Sequence, residues 1–235
     1  MAIKGILFDK DGTLLDFHAT WMPAYLSASK IISCDAGRPE LARRLLEIGG
    51  YDHDSGRCDP GSPLGSGSNE DIARLWATVC GLEDAAPVET RLAETFAREV
   101  IASAVPVGDL ASLFTRLTER GLHLGIATMD SEALAHTTVS LLRIDGFLSF
   151  VCGYDSGFGE KPGPGMVAAF CDRIGLEPAE VMVVGDTLHD LHMGRAAGAG
   201  LVVGVLSGTG TRDLLESHCD HVLENVLALE SVIPQ

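Results

Sequence analysis

Four carboxylates, one hydroxyl and one ammonium in this chain each follow a short apolar run. Asp9-Lys10-Asp11-Gly12-Thr13 comes after residues 3–8, and Thr128 after 122–127. Lys161, in Glu160-Lys161-Pro162, follows 150–152 by way of a glycine-rich loop, and Gly185-Asp186-Thr187-Leu188-His189-Asp190 follows 181–184. Acids gathered at one edge would repel one another and a phosphate dianion unless a divalent cation lay among them, and hard oxygen ligands of this kind suit Mg²⁺. Such a set can transfer a phosphoryl group. Asp9 is the candidate nucleophile, becoming an aspartyl-phosphate, and Asp11 can protonate the leaving oxygen and later activate water. Thr128 and Lys161, with nearby backbone N–H groups, would hold the phosphoryl oxygens as charge shifts in the transition state. Asp9, Asp11 and Asp186 are the expected metal ligands, and Asp190, one helical turn on, is expected to support them. Gly12 permits the tight turn that aims the first two acids.

The elements that must hold these residues can be read from periodicity. Runs at 3–8, 122–128, 181–184 and 201–205 are short, mostly apolar and rich in branched residues, which suits strands buried on both faces. Between them, 110–120, 132–142, 166–174 and 188–197 carry helical spacing, and Gly121, Gly175 and Gly198 follow three of them as stops. Strand alternating with helix predicts an α/β fold, a three-layer Rossmann-like parallel sheet with helices on both faces. Ligands of such sheets sit beyond the carboxyl ends of the strands, where the acids fall.

Residues 17–105 break the rhythm. Helices are expected at 22–32, 40–48, 72–80 and 90–104, with no strand, and Asp71 three residues after Ser68 has the spacing of a capping box. Residues 49–68 hold six Gly and two Pro, too long a stretch for an ordinary connection and expected to be functional or mobile. The expected organisation is a core of residues 1–16 and 106–235 with an all-helical domain, 17–105, inserted after the first strand.

Composition narrows the class of partner. At 235 residues, 46% hydrophobic and 21% charged, the chain can bury one sizeable core and is not a disordered protein. Seventeen basic against 33 acidic residues leave a formal charge of -16, which repels nucleic acid and anionic membranes on average; the small phosphorylated metabolite expected as partner rests on the strand-end residues above. No apolar run approaches the roughly 18–20 residues of a membrane span, and Asp9 interrupts the N-terminal run too early for a signal peptide. A cytoplasmic location is expected. Six cysteines without a C-x-x-C pair read as reduced core residues.

In order and spacing these residues resemble the four motifs of the haloacid dehalogenase (HAD) superfamily. Asp-x-Asp-Gly-Thr is Asp9 to Thr13, the threonine is Thr128, the lysine is Lys161, and Gly-Asp-x-x-x-Asp is Gly185 to Asp190. The insertion resembles the family's C1 cap. The resemblance implies a Mg²⁺-dependent hydrolase of small phosphate monoesters, similar in layout to phosphoglycolate phosphatases, with the cap closing over the site to exclude water. Asp11 separates the family's chemistries: dehalogenases lack it, and phosphonate-cleaving members replace it and recruit a cap lysine. Here Asp11 is present, and the one lysine of the insertion, Lys30, lies in an ordinary amphipathic pattern. Two positions depart from the family pattern. Lys10 stands where an apolar residue is usual, and Met129 where a small polar one is common, so Met129 is expected to bind substrate through its backbone N–H. A β-phosphoglucomutase-type phosphosugar mutase shares the motifs and is the alternative reading. A signalling receiver places its phosphorylated Asp on a later strand and has no helical insertion, which disfavours it.

Other residues have plainer readings. His189 with His192, and His218 with His221, have a spacing common on helix surfaces. Gly208-Thr209-Gly210 lacks the rest of a dinucleotide fingerprint and reads as a turn. Phe17, His18 and Trp21 could face substrate or pack a hinge, and Arg43, Arg44 and Arg57 could meet a substrate anion or remain solvated.

Overall fold

The computed structural model describes residues 2–234. The chain opens with β1 (Gly5–Phe8), then runs through α1 (Phe17–Asp35), α2 (Ala42–Ile48), β2 (Tyr51–Asp52), β3 (Arg57–Cys58), α3 (Pro63–Ser66), α4 (Asn69–Cys80) and α5 (Ala86–Ser103). It continues with α6 (Leu110–Glu119), β4 (His123–Ala127), α7 (Glu132–Leu141), β5 (Leu148–Cys152), α8 (Gly165–Ile174), β6 (Val181–Gly185), α9 (Leu188–Ala197), β7 (Leu201–Val205), α10 (Arg212–Leu215) and β8 (His221–Leu223). Two compact units result, one of Met1–Phe17 with Val105–Gln235 and one of His18–Ala104.

The first unit is a three-layer α/β fold. Its six strands lie in the order β5-β4-β1-β6-β7-β8 and every pairing is parallel. Alternation along β1 splits the core: Ile6 and Phe8 pack with Leu113, Phe114 and Leu117 of α6 on one face, and Leu7 packs with Met166, Val167 and Phe170 of α8 on the other. Covering both faces is what makes these strands almost wholly apolar. Left-handed glycines at Gly175 and Gly198 end α8 and α9. The edge strand β8 was not expected, because His221-Val222-Leu223 is three residues long and only partly buried.

The second unit is helical with one correction to the all-helical expectation. Tyr51 pairs with Cys58 and Asp52 with Arg57 in an antiparallel hairpin inside the glycine-rich stretch. Strands of two residues cannot display an alternating pattern, so periodicity had nothing to detect. Helix α4 begins with the expected capping box, in which Ser68 and Asp71 each satisfy the other's backbone N–H. Trp76 is fully buried, and Trp21, Tyr25 and Phe96 form an aromatic cluster with centroids 5.3–5.5 Å apart. All six cysteines are free and four of them are buried. No described helix is long and apolar enough to cross a membrane.

Candidate active site

The sheet brings the first acids together by register. Phe8, the last residue of β1, pairs with Ile126 on one side and Val184 on the other. Thr128 and Asp186 therefore each lie one residue past the level of Asp9 on the flanking strands. Asp9 N donates to Val184 O at 2.8 Å and Thr128 N to Cys152 O at 3.1 Å, extending the ladder past the strand ends and fixing the backbone at both positions. The turn that follows is closed by Leu14 N and Leu15 N, both donating to Lys10 O. Gly12 takes φ +86° there, and a Cβ on it would stand 2.6 Å from the Asp186 carboxyl, so conformation and space both call for glycine.

Three buried acids converge. Asp9, Asp186 and Asp190 offer carboxylate oxygens within 4.8 Å of one another. Lys161 Nζ donates to Asp9 Oδ1 and to Asp190 Oδ1, each at 2.6 Å. The other oxygen of Asp190 accepts from Thr187 N at 3.1 Å and Thr187 Oγ1 at 2.7 Å, closing a capping box at the start of α9. Asp186 Oδ2 accepts from Thr209 N at 2.8 Å. The remaining oxygens, Asp9 Oδ2 and Asp186 Oδ1, are buried without a hydrogen-bond partner. Orphaned buried carboxylate oxygens are costly, and two of them in an all-oxygen cluster fit a small hard dication.

The charge state follows from this crowding. Burial pushes the Asp9 carboxyl up to about 7; Lys161 pulls it down, while Asp190 and Asp11 push it further up. Burial likewise holds Asp186 well above the usual carboxylate range, with Asp9 and Asp190 adding to it. Burial would favour the neutral form of Lys161, but Asp190 and Asp9 outweigh it and hold the ammonium charged.

Asp11 turns to a second group. Its carboxylate meets Lys10 Nζ with both oxygens, at 2.8 and 2.7 Å, and Lys10 Nζ also forms an ion pair with Asp130 Oδ2 at 3.2 Å. Thr128 Oγ1 donates to Asp11 Oδ2 at 3.5 Å and accepts from Asp130 N at 3.1 Å. Of the three expected metal ligands, then, Asp9 and Asp186 are in the acid cluster and the Asp11 side chain is in the Lys10 group. Asp190 lies in the cluster itself, clamped to Lys161. Met129 is half-buried beside Thr128.

Sequence reasoning passed over Asp130 and Thr187, and read Gly208 and Thr209 only as part of a turn. Thr187 with Asp190 had the spacing of a capping box, and Asp130 stands three residues past β4. Gly208-Thr209-Gly210 is a turn, and it serves the site: Thr209 supplies an N–H to Asp186, and a Cβ at Gly208 would lie 1.8 Å from Asp186 Oδ2. The remaining candidates keep their plainer readings. His192 Nε2 and His218 Nδ1 are 3.1 Å apart, yet the one group of three possible metal-ligating side chains among the described residues is the aspartate cluster. Lys30, Arg43, Arg44 and Arg57 are exposed. His18 Nε2 accepts from Cys58 N at 3.3 Å, and Trp21 packs on Tyr25 and Phe96.

A parallel sheet with this acid-lysine edge is the architecture of HAD hydrolases, and the family model for haloacid dehalogenase-like hydrolases matches residues 3–198. The chain belongs to that family. Among curated relatives, the phosphoglycolate phosphatase of Yersinia pestis is 26% identical over 94% of this chain and 89% of its own. The N-acetylmuramic acid 6-phosphate phosphatase of Pseudomonas aeruginosa is 22% identical over 84% of this chain and 80% of its own. Among solved structures, a predicted phosphoglycolate phosphatase from Haemophilus somnus superposes with a TM-score of 0.73 at 18% identity, covering 99% of this chain and 98% of that one.

Proposed function

We propose that this hydrolase is a Mg²⁺-dependent phosphatase acting on a small phosphate monoester through a phosphorylated Asp9. The observation that carries the reading is the pair of orphaned oxygens, Asp9 Oδ2 and Asp186 Oδ1, within a buried cluster of three aspartates served by one lysine. Asp9 and Asp186 would hold the ion, which when bound neutralises the cluster and polarises a phosphoryl oxygen. Asp190 has both oxygens committed to Lys161 and Thr187, so its work is to orient Lys161.

The steps then follow from the side chains. An oxygen of Asp9 attacks phosphorus, the bond to the leaving oxygen breaks, and that oxygen keeps the electron pair and takes a proton from Asp11. Water next attacks the phosphoryl-Asp9, giving its proton to Asp11, and the P–O bond to Asp9 breaks with its electrons returning to the carboxylate. Thr128, the Met129 N–H and Lys161 would hold the phosphoryl oxygens throughout. Curated relatives are named for phosphoglycolate and for N-acetylmuramic acid 6-phosphate, phosphate monoesters of a small acid and a sugar, and another is named a pyrophosphatase; the monoester class is the one proposed here.

The test is phosphate release from a panel of phosphorylated metabolites by wild type and Asp9→Asn, with and without chelator. Activity should need both Asp9 and the metal; full p-nitrophenyl phosphate turnover by Asp9→Asn, or activity surviving chelation, would overturn the mechanism. With a labelled sugar phosphate, label appearing on another sugar hydroxyl instead of in free phosphate would favour the mutase.

A further inference from the structure

Lys10 occupies the middle of the acid pair and is fully buried. A buried ammonium is tolerated only when paired and hydrogen-bonded, and this one is held from two directions. Asp11 meets it with both carboxylate oxygens, and Asp130 reaches it from beyond the end of β4. Asp130 is itself fixed, its Oδ1 accepting from Ser131 N at 2.8 Å and its own N–H donating to Thr128 Oγ1. Thr128 Oγ1 in turn donates to Asp11 Oδ2, so Lys10, Asp11, Thr128 and Asp130 close a ring. Through it, the orientation of the Asp11 carboxyl is tied to β4, away from the rotamers that would add it to the Asp9, Asp186 and Asp190 cluster.

We propose that Lys10, braced by Asp130, is a positioning residue that aims the Asp11 carboxylate at the water hydrolysing phosphoryl-Asp9. This rests on the reading of Asp11 as the group that accepts that water's proton. The consequence is selective. With p-nitrophenyl phosphate the leaving phenolate departs without needing a proton, so phosphorylation of Asp9 makes little demand on Asp11, whereas hydrolysis of the phosphoenzyme depends on it.

The experiment compares Lys10→Met, Lys10→Met/Asp130→Asn and Asp11→Asn with wild type, all with Mg²⁺ and p-nitrophenyl phosphate. The double variant removes the buried charge pair together, so it remains informative if Lys10→Met alone fails to fold; thermal unfolding checks each protein. Expected for the folded Lys10 variants is a fall in kcat of about 100-fold, the scale of a lost or misplaced general base. KM should fall in parallel, leaving kcat/KM within about threefold, because only the second step is slowed. A burst of p-nitrophenol matching the enzyme concentration, and phosphorylated protein in acid-quenched samples, should accompany it. A merely structural Lys10 would lower kcat and kcat/KM together and give no burst, and that result overturns the proposal. If Asp11→Asn shows the burst and the Lys10 variants do not, the role of Lys10 fails while Asp11 keeps its own. If Asp11→Asn shows none, the reading of Asp11 fails and takes this inference with it.

Discussion

Substitution Gly208→Ala offers a direct test of how Asp186, one of the acids proposed to hold a metal ion, is confined. An alanine Cβ at that position would stand 1.8 Å from Asp186 Oδ2 and 2.2 Å from Asp186 Cγ. Ordinary carbon contacts lie near 3.5 Å or beyond, so relief takes a shift of roughly 1.5 Å. Asp186 cannot retreat toward Gly12, where space for a Cβ is already lacking at 2.6 Å, and moving away sacrifices the 2.8 Å bond from Thr209 N. Losing a hydrogen bond to a charged group costs about 1.5–3 kcal/mol, and residual overpacking about 1–3 kcal/mol. A ~1 Å misplacement of a reacting or ligating group costs about 100-fold in rate, and disturbance of a ligand's supporting contacts about 10- to 100-fold in metal affinity. The expected outcome is weakened Mg²⁺ binding by calorimetry, p-nitrophenyl phosphate turnover down about 100-fold, and a lower thermal midpoint. Gly146→Ala is the control, since no atom lies within 4 Å of a Cβ there and its φ is not positive. Retention of Mg²⁺ affinity and turnover within twofold in Gly208→Ala would refute the idea that this turn confines Asp186.

Three further outcomes are expected. Lys161→Met removes the ammonium from Asp9 and Asp190 and should destabilise the protein by about 3–5 kcal/mol, with part of the loss recovered at pH 5, where Asp9, raised to about 7 by burial, takes up a proton; equal destabilisation at pH 5 and pH 8, by thermal unfolding, would contradict this. In metal-free protein Asp9 is raised to about 7, so between about pH 4 and 7 the folded state holds a proton that the unfolded chain has released, and stability falls as pH rises. The stability of wild type relative to Asp9→Asn should therefore decline across that window, and Mg²⁺ should raise the thermal midpoint more at pH 8 than at pH 5. Ser68→Ala opens the capping box of α4 and should cost about 1 kcal/mol in denaturant unfolding; an unchanged midpoint would mean the cap contributes nothing.

Much of the fold was legible because parallel strands covered on both faces advertise themselves. Residues 201–205 and 188–197 were bounded as observed, the first by branched apolar residues and the second by Gly198. The hairpin of Tyr51–Asp52 and Arg57–Cys58 and the edge strand at His221–Leu223 were invisible for the converse reason, being too short to show a period. Strand ends located Asp9, Thr128 and Asp186, since register alone places them, whereas Lys161 stands beyond a glycine-rich loop after β5 and is placed by that loop. Side-chain direction was not legible. Asp11 lies two residues from Asp9 in sequence, but the turn closed on Lys10 O sends its carboxylate to Lys10 and Thr128, and nothing in the spacing of Asp-x-Asp reveals that. Asp130 escaped notice because its significance depends on a lysine that stands, atypically for the family, at position 10.

The two buried lysines give the site its division of labour. Fully ionised, the cluster of Asp9, Asp186 and Asp190 exceeds the charge of Lys161 by two, the charge of one divalent cation. Without that ion protons can relieve the excess: burial first, and then the neighbouring carboxylates, hold both Asp9 and Asp186 above the usual carboxylate range. Asp11 and Asp130 exceed Lys10 by only one, and burial raises Asp130 despite the pull of Lys10. A second dication is thus not required to neutralise that group, and a single proton suffices. The carboxylates at one sheet edge are thereby sorted by the ammonium each group surrounds: one group is left short of a dication, the other short of a proton. The proposed phosphoryl transfer and hydrolysis would draw on both, and a uniform acidic surface would supply neither. The formal charge of -16 is therefore compatible with binding a phosphate monoester, because the local field is set by Lys161 and the ion its neighbours would hold.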